Sequence, residues 1–156
     1  MLIQEMTEPE CLELLTSTGF GRLACASENQ PYVVPFYFGY RANYIYSFAT
    51  MGQKIDWMRS NALVCVETDV VRNSQEWESV VIFGLFEELP DTSDWAKERE
   101  IAQEILQQRE MWWQPAYVPT SGKGESRRLA PVFFRIKIER ITGHRATPGP
   151  KSDVEG

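Results

Sequence analysis

The stretch from Phe20 to Phe48 places the tightest limit on what this chain can fold into. Three β-rich runs, Phe20 to Ala26, Pro31 to Tyr40 and Tyr44 to Phe48, are separated only by the turn-forming triplets Glu28-Asn29-Gln30 and Arg41-Ala42-Asn43. Val, Phe and Tyr dominate the runs, as suits a half-buried pleated surface. A β series joined by short turns therefore sits near the start of the chain.

The flanks add helices and more strands. Thr7 and Glu10 form a capping box, and Met6 and Cys11 occupy the two positions of a hydrophobic staple. Leu12, Leu14 and Leu15 then give a helix its apolar face, and Gly19 is placed to end it. A short helix is expected from about Gly52 to Ser60, with Ile55 and Met58 on one side. Leu63 to Thr68 reads as a buried strand. Glu76 to Leu89 is the longest strand candidate, and Gly84 within it marks a bulge or a close approach. An amphipathic helix begins near Ser93 or Asp94, with Trp95, Ile101, Ala102, Ile105, Leu106, Trp112 and Trp113 at helical spacing. Pro115 to Ala130 holds prolines, glycines and basic residues and is expected to be a loop. A last strand runs from Val132 to about Thr142.

The fold class that follows is mainly β with flanking helices (α+β), with six mostly antiparallel strands. A closed barrel suits such strands, because closure removes exposed edges. One domain over residues 1–146 is expected, with 147–156 a flexible tail.

Bulk properties narrow the partners. The 156 residues, 43% hydrophobic and 24% charged, have the balance of a globular domain. A formal charge of -6 disfavours binding to nucleic acid phosphates, which needs a basic surface. No run approaches the roughly eighteen apolar residues of a membrane helix. The N-terminus carries acid where a secretory signal carries base, which points to the cytoplasm. Cys11, Cys25 and Cys65 lie in apolar-periodic segments without a CxxC pair and read as small buried hydrophobes. With one histidine, His144, imidazole-based triads and metal centres have little to work with.

The segment Tyr46-Ser47-Phe48-Ala49-Thr50-Met51-Gly52-Gln53-Lys54 carries the most chemical information. A strand ends, hydroxyls appear, Gly52 lets the backbone turn, and Lys54 falls in the first turn of a helix. Free N–H groups at a helix N-terminus attract an anion, and Ser47, Thr50 and Lys54 can add donors. It is not a P-loop, because Ile55 follows the lysine where Ser or Thr is required. The same spacing also fits Thr50 as a plain N-cap and Lys54 as a solvated charge, and spacing alone leaves both open.

Read together, Gly21-Arg22-Leu23-Ala24, Pro31-Tyr32-Val33-Val34-Pro35, Gly52-Gln53-Lys54-Ile55, Trp57-Met58-Arg59 and Trp77-Glu78-Ser79-Val80-Val81-Ile82-Phe83-Gly84 resemble the FMN-binding split β-barrels. The likeness is to the pyridoxamine 5'-phosphate oxidase-related and nitroimidazole-resistance-like flavoproteins, in order from about Thr7 to Ala146. It implies a six-stranded split barrel that works as a homodimer, with FMN at the subunit interface. It also implies that Val33, Val34, Pro35 and Phe36 lie along the isoalloxazine ring. Ser47, Thr50, Gln53 and Lys54 would hold the phosphate, and Ser79 would reach the flavin, plausibly across the dimer. Trp113 would wall the ring or, with Trp112, pack the end of its helix. Ser47 stands where relatives often carry His, and Thr142-Gly143-His144 where the family more often reads Thr-Gly-Arg.

The implied activity is an FMN-dependent oxidoreductase, drawing electrons from a small-molecule substrate or NAD(P)H. The alternatives are a flavin carrier or sensor without turnover, or the same fold around haem or a deazaflavin.

Overall fold

The computed structural model describes residues 1–108 and 131–150, together with the backbone of 117–119 and 126–128. Its strands are β1 (Leu2–Glu5), β2 (Phe20–Ser27), β3 (Gln30–Tyr37), β4 (Gly39–Arg41), β5 (Tyr44–Thr50), β6 (Leu63–Asn73), β7 (Glu76–Glu88), β8 (Tyr117–Pro119), β9 (Ser126–Arg128) and β10 (Pro131–Thr147). The helices are α1 (Glu8–Thr18), α2 (Gln53–Ser60) and α3 (Ala96–Gln107), the last entered through a single 3-10 turn, Ser93–Trp95.

Both predicted turns form, and with the geometry that strand twist demands. Glu28 and Asn29 take φ of 49° and 65°, and Ala42 and Asn43 take 49° and 73°. Two consecutive left-handed residues make a turn whose twist matches the strands on either side. The α1 prediction also holds. Thr7 caps the helix in a reciprocal capping box with Glu10, and Gly19 ends it at φ 61°. Met6 and Cys11 are both buried, as a staple requires.

One eight-stranded sheet results, in the order β3-β2-β6-β7-β10-β5-β4, with β1 added to the far end of β10. All pairings are antiparallel. The sheet is not closed by hydrogen bonds, which corrects the expectation of a closed barrel. The reason lies at Phe38. The run Pro31 to Tyr40, anticipated as one strand, breaks there, so that β3 is one end of the sheet and β4 the other. The ends are thus joined through the chain itself, and the barrel is split. Phe38 is fully buried, and its N–H donates to the Gly19 carbonyl at 3.0 Å.

The interior is filled by alternate residues of β2, β6, β7 and β10 with α1 and α2 residues: Leu14, Leu15, Leu23, Ile55, Met58, Val66, Ile82 and Ile136 among them. Gly84 proves to be a close approach. A Cβ there would meet Ile136 Cγ2 and the Lys137 carbonyl oxygen, both at 2.6 Å, while the register shift falls opposite, between Ile138 and Arg140. A second cluster lies outside the sheet. There Ala102, Ile105 and Leu106 of α3 cover Tyr46 and Phe133.

Three further differences have local causes. Strand β1 was not anticipated, because all four of its residues are exposed and show no alternation. Strand β10 continues to Thr147 because β1 and β7 both pair with its second half. Within Pro115 to Ala130, expected to be loop, β8 and β9 form a two-stranded ribbon. No helix among the described residues is long and apolar enough to cross a membrane.

Candidate functional site: the start of helix α2 and the free edge of strand β3

Helix α2 begins without a side-chain cap. Gly52 occupies the N-cap position and offers no hydroxyl or carboxylate, so the first N–H groups of the helix lack a side-chain partner. Lys54 stands in the first turn, half-buried. Burial pushes its pKa below the usual lysine value, and the nearby Cys25 thiol pulls it partly back. Among the described residues no carboxylate forms an ion pair with the ammonium. A half-buried cation at a helix N-terminus without a side-chain cap suits an anion, because both carry positive potential, although the exposed Asp56 in the same first turn offsets part of it. Thr50, at the end of β5 opposite Pro131, and Gln53, the exposed first residue of α2, flank the seat.

Helix α2 is tied to β3. Trp57 packs edge-on against Tyr32 with ring centroids 5.6 Å apart, and Tyr32 is the register partner of Cys25. The anion seat therefore lies beside the start of β3. The four β3 residues named from the sequence then divide by parity. Val33 and Pro35 face outward and are exposed, whereas Val34 and Phe36 turn in toward the core.

Backbone directions follow the same division. Phe38 N–H points to Gly19, so the Tyr37 carbonyl in the same peptide unit points the opposite way, and it accepts from Ser47 Oγ at 2.6 Å. Alternation along the strand carries that outward direction back to Pro35, Val33 and Pro31. Proline fits there, since a missing N–H harms no ladder on a free edge. Among the described residues no strand pairs with this edge of β3.

The remaining predicted residues are placed elsewhere. Ser47 is 1% exposed, and its hydroxyl is taken by the Tyr37 carbonyl, so it latches β5 to the end of β3 instead of facing the anion seat. Ser79 shares the outward face of β7 with Trp77 and Val81, as its parity requires, while Val80 and Ile82 are buried. Its hydroxyl donates to Glu67 Oε1 at 3.2 Å. Trp113 lies outside the described residues.

Ser79 belongs to a polar cluster that sequence reasoning missed. Arg22 Nη1 lies 3.4 Å from Glu67 and 3.3 Å from Asp69, and Asp69, Ser79 and His144 are successive register partners across β6, β7 and β10. Burial, then the charge of Asp69, pushes the Glu67 carboxyl above its usual range, while Ser79 and Arg22 pull it back. The signal was present: Glu67 and Asp69 are acids at i and i+2, opposite in parity to buried Val64 and Val66.

Around this cluster the outer face is apolar. Phe20, Val33, Tyr37, Leu63, Val71 and Phe83 all point outward and are exposed. Ala24 and Cys65 floor a groove of about 420 Å³ whose walls include Pro31, Leu63 and Phe83.

Comparison with known proteins fits this geometry. The model of the pyridoxamine 5'-phosphate oxidase family matches residues 7–145. The chain belongs to that family. An uncharacterized protein from Rhizobium meliloti (strain 1021) is 34% identical over 149 residues, covering 96% of this chain and 99% of its own. The crystal structure of a FAD-binding protein from Mesorhizobium loti is 38% identical, with a TM-score of 0.77, over 94% of this chain and 100% of that one. A FAD-binding protein from Mycobacterium smegmatis shares the fold at 20% identity and a TM-score of 0.63, covering 91% and 98%. The split barrel of the family is thus the fold described above.

Proposed function

We propose that this chain is a flavin nucleotide-dependent oxidoreductase. The observation that carries the reading is the anion seat: a helix start without a side-chain cap and a half-buried Lys54 that pairs with no carboxylate among the described residues. A terminal phosphate on a ribityl chain suits that seat, and the isoalloxazine ring then lies along the edge of β3 at Val33 and Pro35. The 38% identical Mesorhizobium loti protein binds FAD, which supports a flavin here. FMN is the smallest flavin with a phosphate for the seat, and we assign it as the cofactor; FAD carries the same phosphate with an adenylate beyond it. When bound, the flavin accepts and releases electrons, and the protein orients it and tunes it by hydrogen bonds.

The work of this chain's own residues is then binding and orientation. Lys54 and the α2 N–H groups, flanked by Thr50 and Gln53, hold the phosphate, and the edge of β3 fixes the ring. No side chain of the site needs to move a proton for hydride transfer from NADH or NADPH. The outward apolar face supports a two-fold homodimer, since a monomer rarely exposes a contiguous patch of this kind. Ser79 and its cluster would lie in that interface.

Denaturing the purified protein and identifying the released chromophore tests the assignment. One FMN per chain, bleached by NADH or NADPH before release and reoxidised by an acceptor, is the expected result. A colourless protein that takes up neither FMN nor FAD overturns it. Bound flavin that no nicotinamide reduces would instead mark a carrier or sensor.

A further inference from the structure

Two polar side chains are buried among the described residues, Ser47 and Thr68, and both grip the same point of the fold. Ser47 Oγ donates to the Tyr37 carbonyl at 2.6 Å, and Thr68 Oγ1 donates to the Phe20 carbonyl at 2.8 Å. Phe20 and Tyr37 are register partners at the open end of the β2–β3 hairpin. The two grips differ in consequence. Thr68 reinforces strands that are already zipped, since β2 pairs with β6. Ser47 spans the split, where among the described residues no backbone hydrogen bond joins β3 to β5.

The two parts of the candidate site lie on either side of that split. Strand β5 leads through Thr50 and Gly52 into the seat on α2, and β3 carries the free edge. The sides are fastened at both ends of β3: by Trp57 against Tyr32 at its start, and by Ser47 on the Tyr37 carbonyl at its end. A ligand that reaches from the seat to the edge lies between these fastenings. We propose that Ser47 is a positioning residue, which touches no ligand and sets the spacing between the edge of β3 and the anion seat. This rests on the flavin reading above and adds to it the group that holds the two sides of the flavin site in place. Without the hydroxyl, the Tyr37 carbonyl loses its partner and the end of β3 is free to swing. The ligand-ready spacing then becomes one arrangement among several, and apparent affinity falls with its share of the population. Loss of the Thr68 hydroxyl weakens folding too, but the β2–β6 ladder and Ser47 still hold the spacing.

The test titrates wild-type, Ser47→Ala and Thr68→Val apoprotein with FMN. The visible circular dichroism of each FMN-saturated protein then reports how firmly the ring is held. Both variants should unfold at lower urea concentration than wild type. Ser47→Ala should bind FMN roughly three- to tenfold more weakly, the range of one neutral hydrogen bond, with weaker dichroism at saturation. Thr68→Val should keep both at wild-type values. If it does not fold, Leu106→Ala, on the far side of the sheet, serves as the destabilised control. Wild-type affinity and dichroism in Ser47→Ala overturn the proposal and leave the flavin reading standing. An equal loss of both in the control does the same, because it makes Ser47 a plain structural support. A wild type that takes up no FMN overturns the flavin reading, and this inference with it.

Discussion

The two halves of the split barrel treat their outer faces in opposite ways. On the β5 and β10 half, Tyr46 and Phe133 are buried under Ala102, Ile105 and Leu106 of α3. Arg135 secures that cover: its guanidinium lies 4.0 Å from the Tyr44 ring centre, near Trp95, and 2.6 Å from Glu87. On the β2, β3, β6 and β7 half no helix among the described residues covers the outside, and Phe20, Val33, Tyr37, Leu63, Val71 and Phe83 stay exposed around Arg22, Glu67 and Asp69. One sheet thus has an outside finished by its own chain and an outside left open. The candidate site borders the open one. The covered half gains a second apolar cluster under α3, and the bare half leaves its apolar outer face for the contacts proposed above.

The largest effect expected from that contrast is on the covered half. Leu106→Ala removes a side chain that is 2% exposed and should cost about 2–5 kcal/mol in urea unfolding. A loss under about 1 kcal/mol would mean that α3 is a loose cover and the contrast is weaker than described.

Phe83→Asp should do the reverse. Phe83 is 40% exposed and rests under Arg140 at 4.3 Å, so the fold of each subunit should change by no more than about 1 kcal/mol. Burying a carboxylate against a second copy is far costlier, so sedimentation should show the proposed dimer dissociating. A dimer unaffected by this change would move the interface off the bare face.

The smallest effect concerns pH. Burial and Asp69 raise the Glu67 carboxyl above its value in the unfolded chain. The folded protein therefore holds more protons than the unfolded one as the pH rises from the ordinary carboxylate range through the raised value, and stability falls across that window. Glu67→Gln should remove that part of the slope in urea midpoints measured from pH 4 to 7. An unchanged slope would show that Arg22 already neutralises the pair.

Legibility in the sequence tracked how many faces of a segment are covered. The hairpin turns and α1 were plain, because turn residues and a capping box act locally and leave local signatures. The bend at Phe38 was not, since apolar residues continue through it and only the tertiary path of the strand reveals the break. Ser47 shows the same difficulty within the site. Strand β5 is covered by the core on one side and α3 on the other, so no alternation told which way the hydroxyl points. At Thr50, Gln53 and Lys54 strand, glycine and helix follow in order, so a candidate seat could be read there, but spacing left Thr50 as a plain N-cap equally open, and the structure gives that position to Gly52. The acidic pair Glu67 and Asp69 was readable by parity once the span of β6 was known, and the sequence reading ended that strand at Thr68, one residue before Asp69.

The central claim is that the anion seat on α2 holds the flavin phosphate, and titrating apoprotein with FMN tests it most directly through Lys54→Met. The substitution removes a half-buried cation that has no ion-pair partner among the described residues, so the apoprotein should unfold at the same or higher urea concentration. FMN affinity should fall by about 1.5–3 kcal/mol, the range for a charge-assisted hydrogen bond. A folded Lys54→Met protein that binds FMN as tightly as wild type would contradict the account and make Lys54 a surface charge.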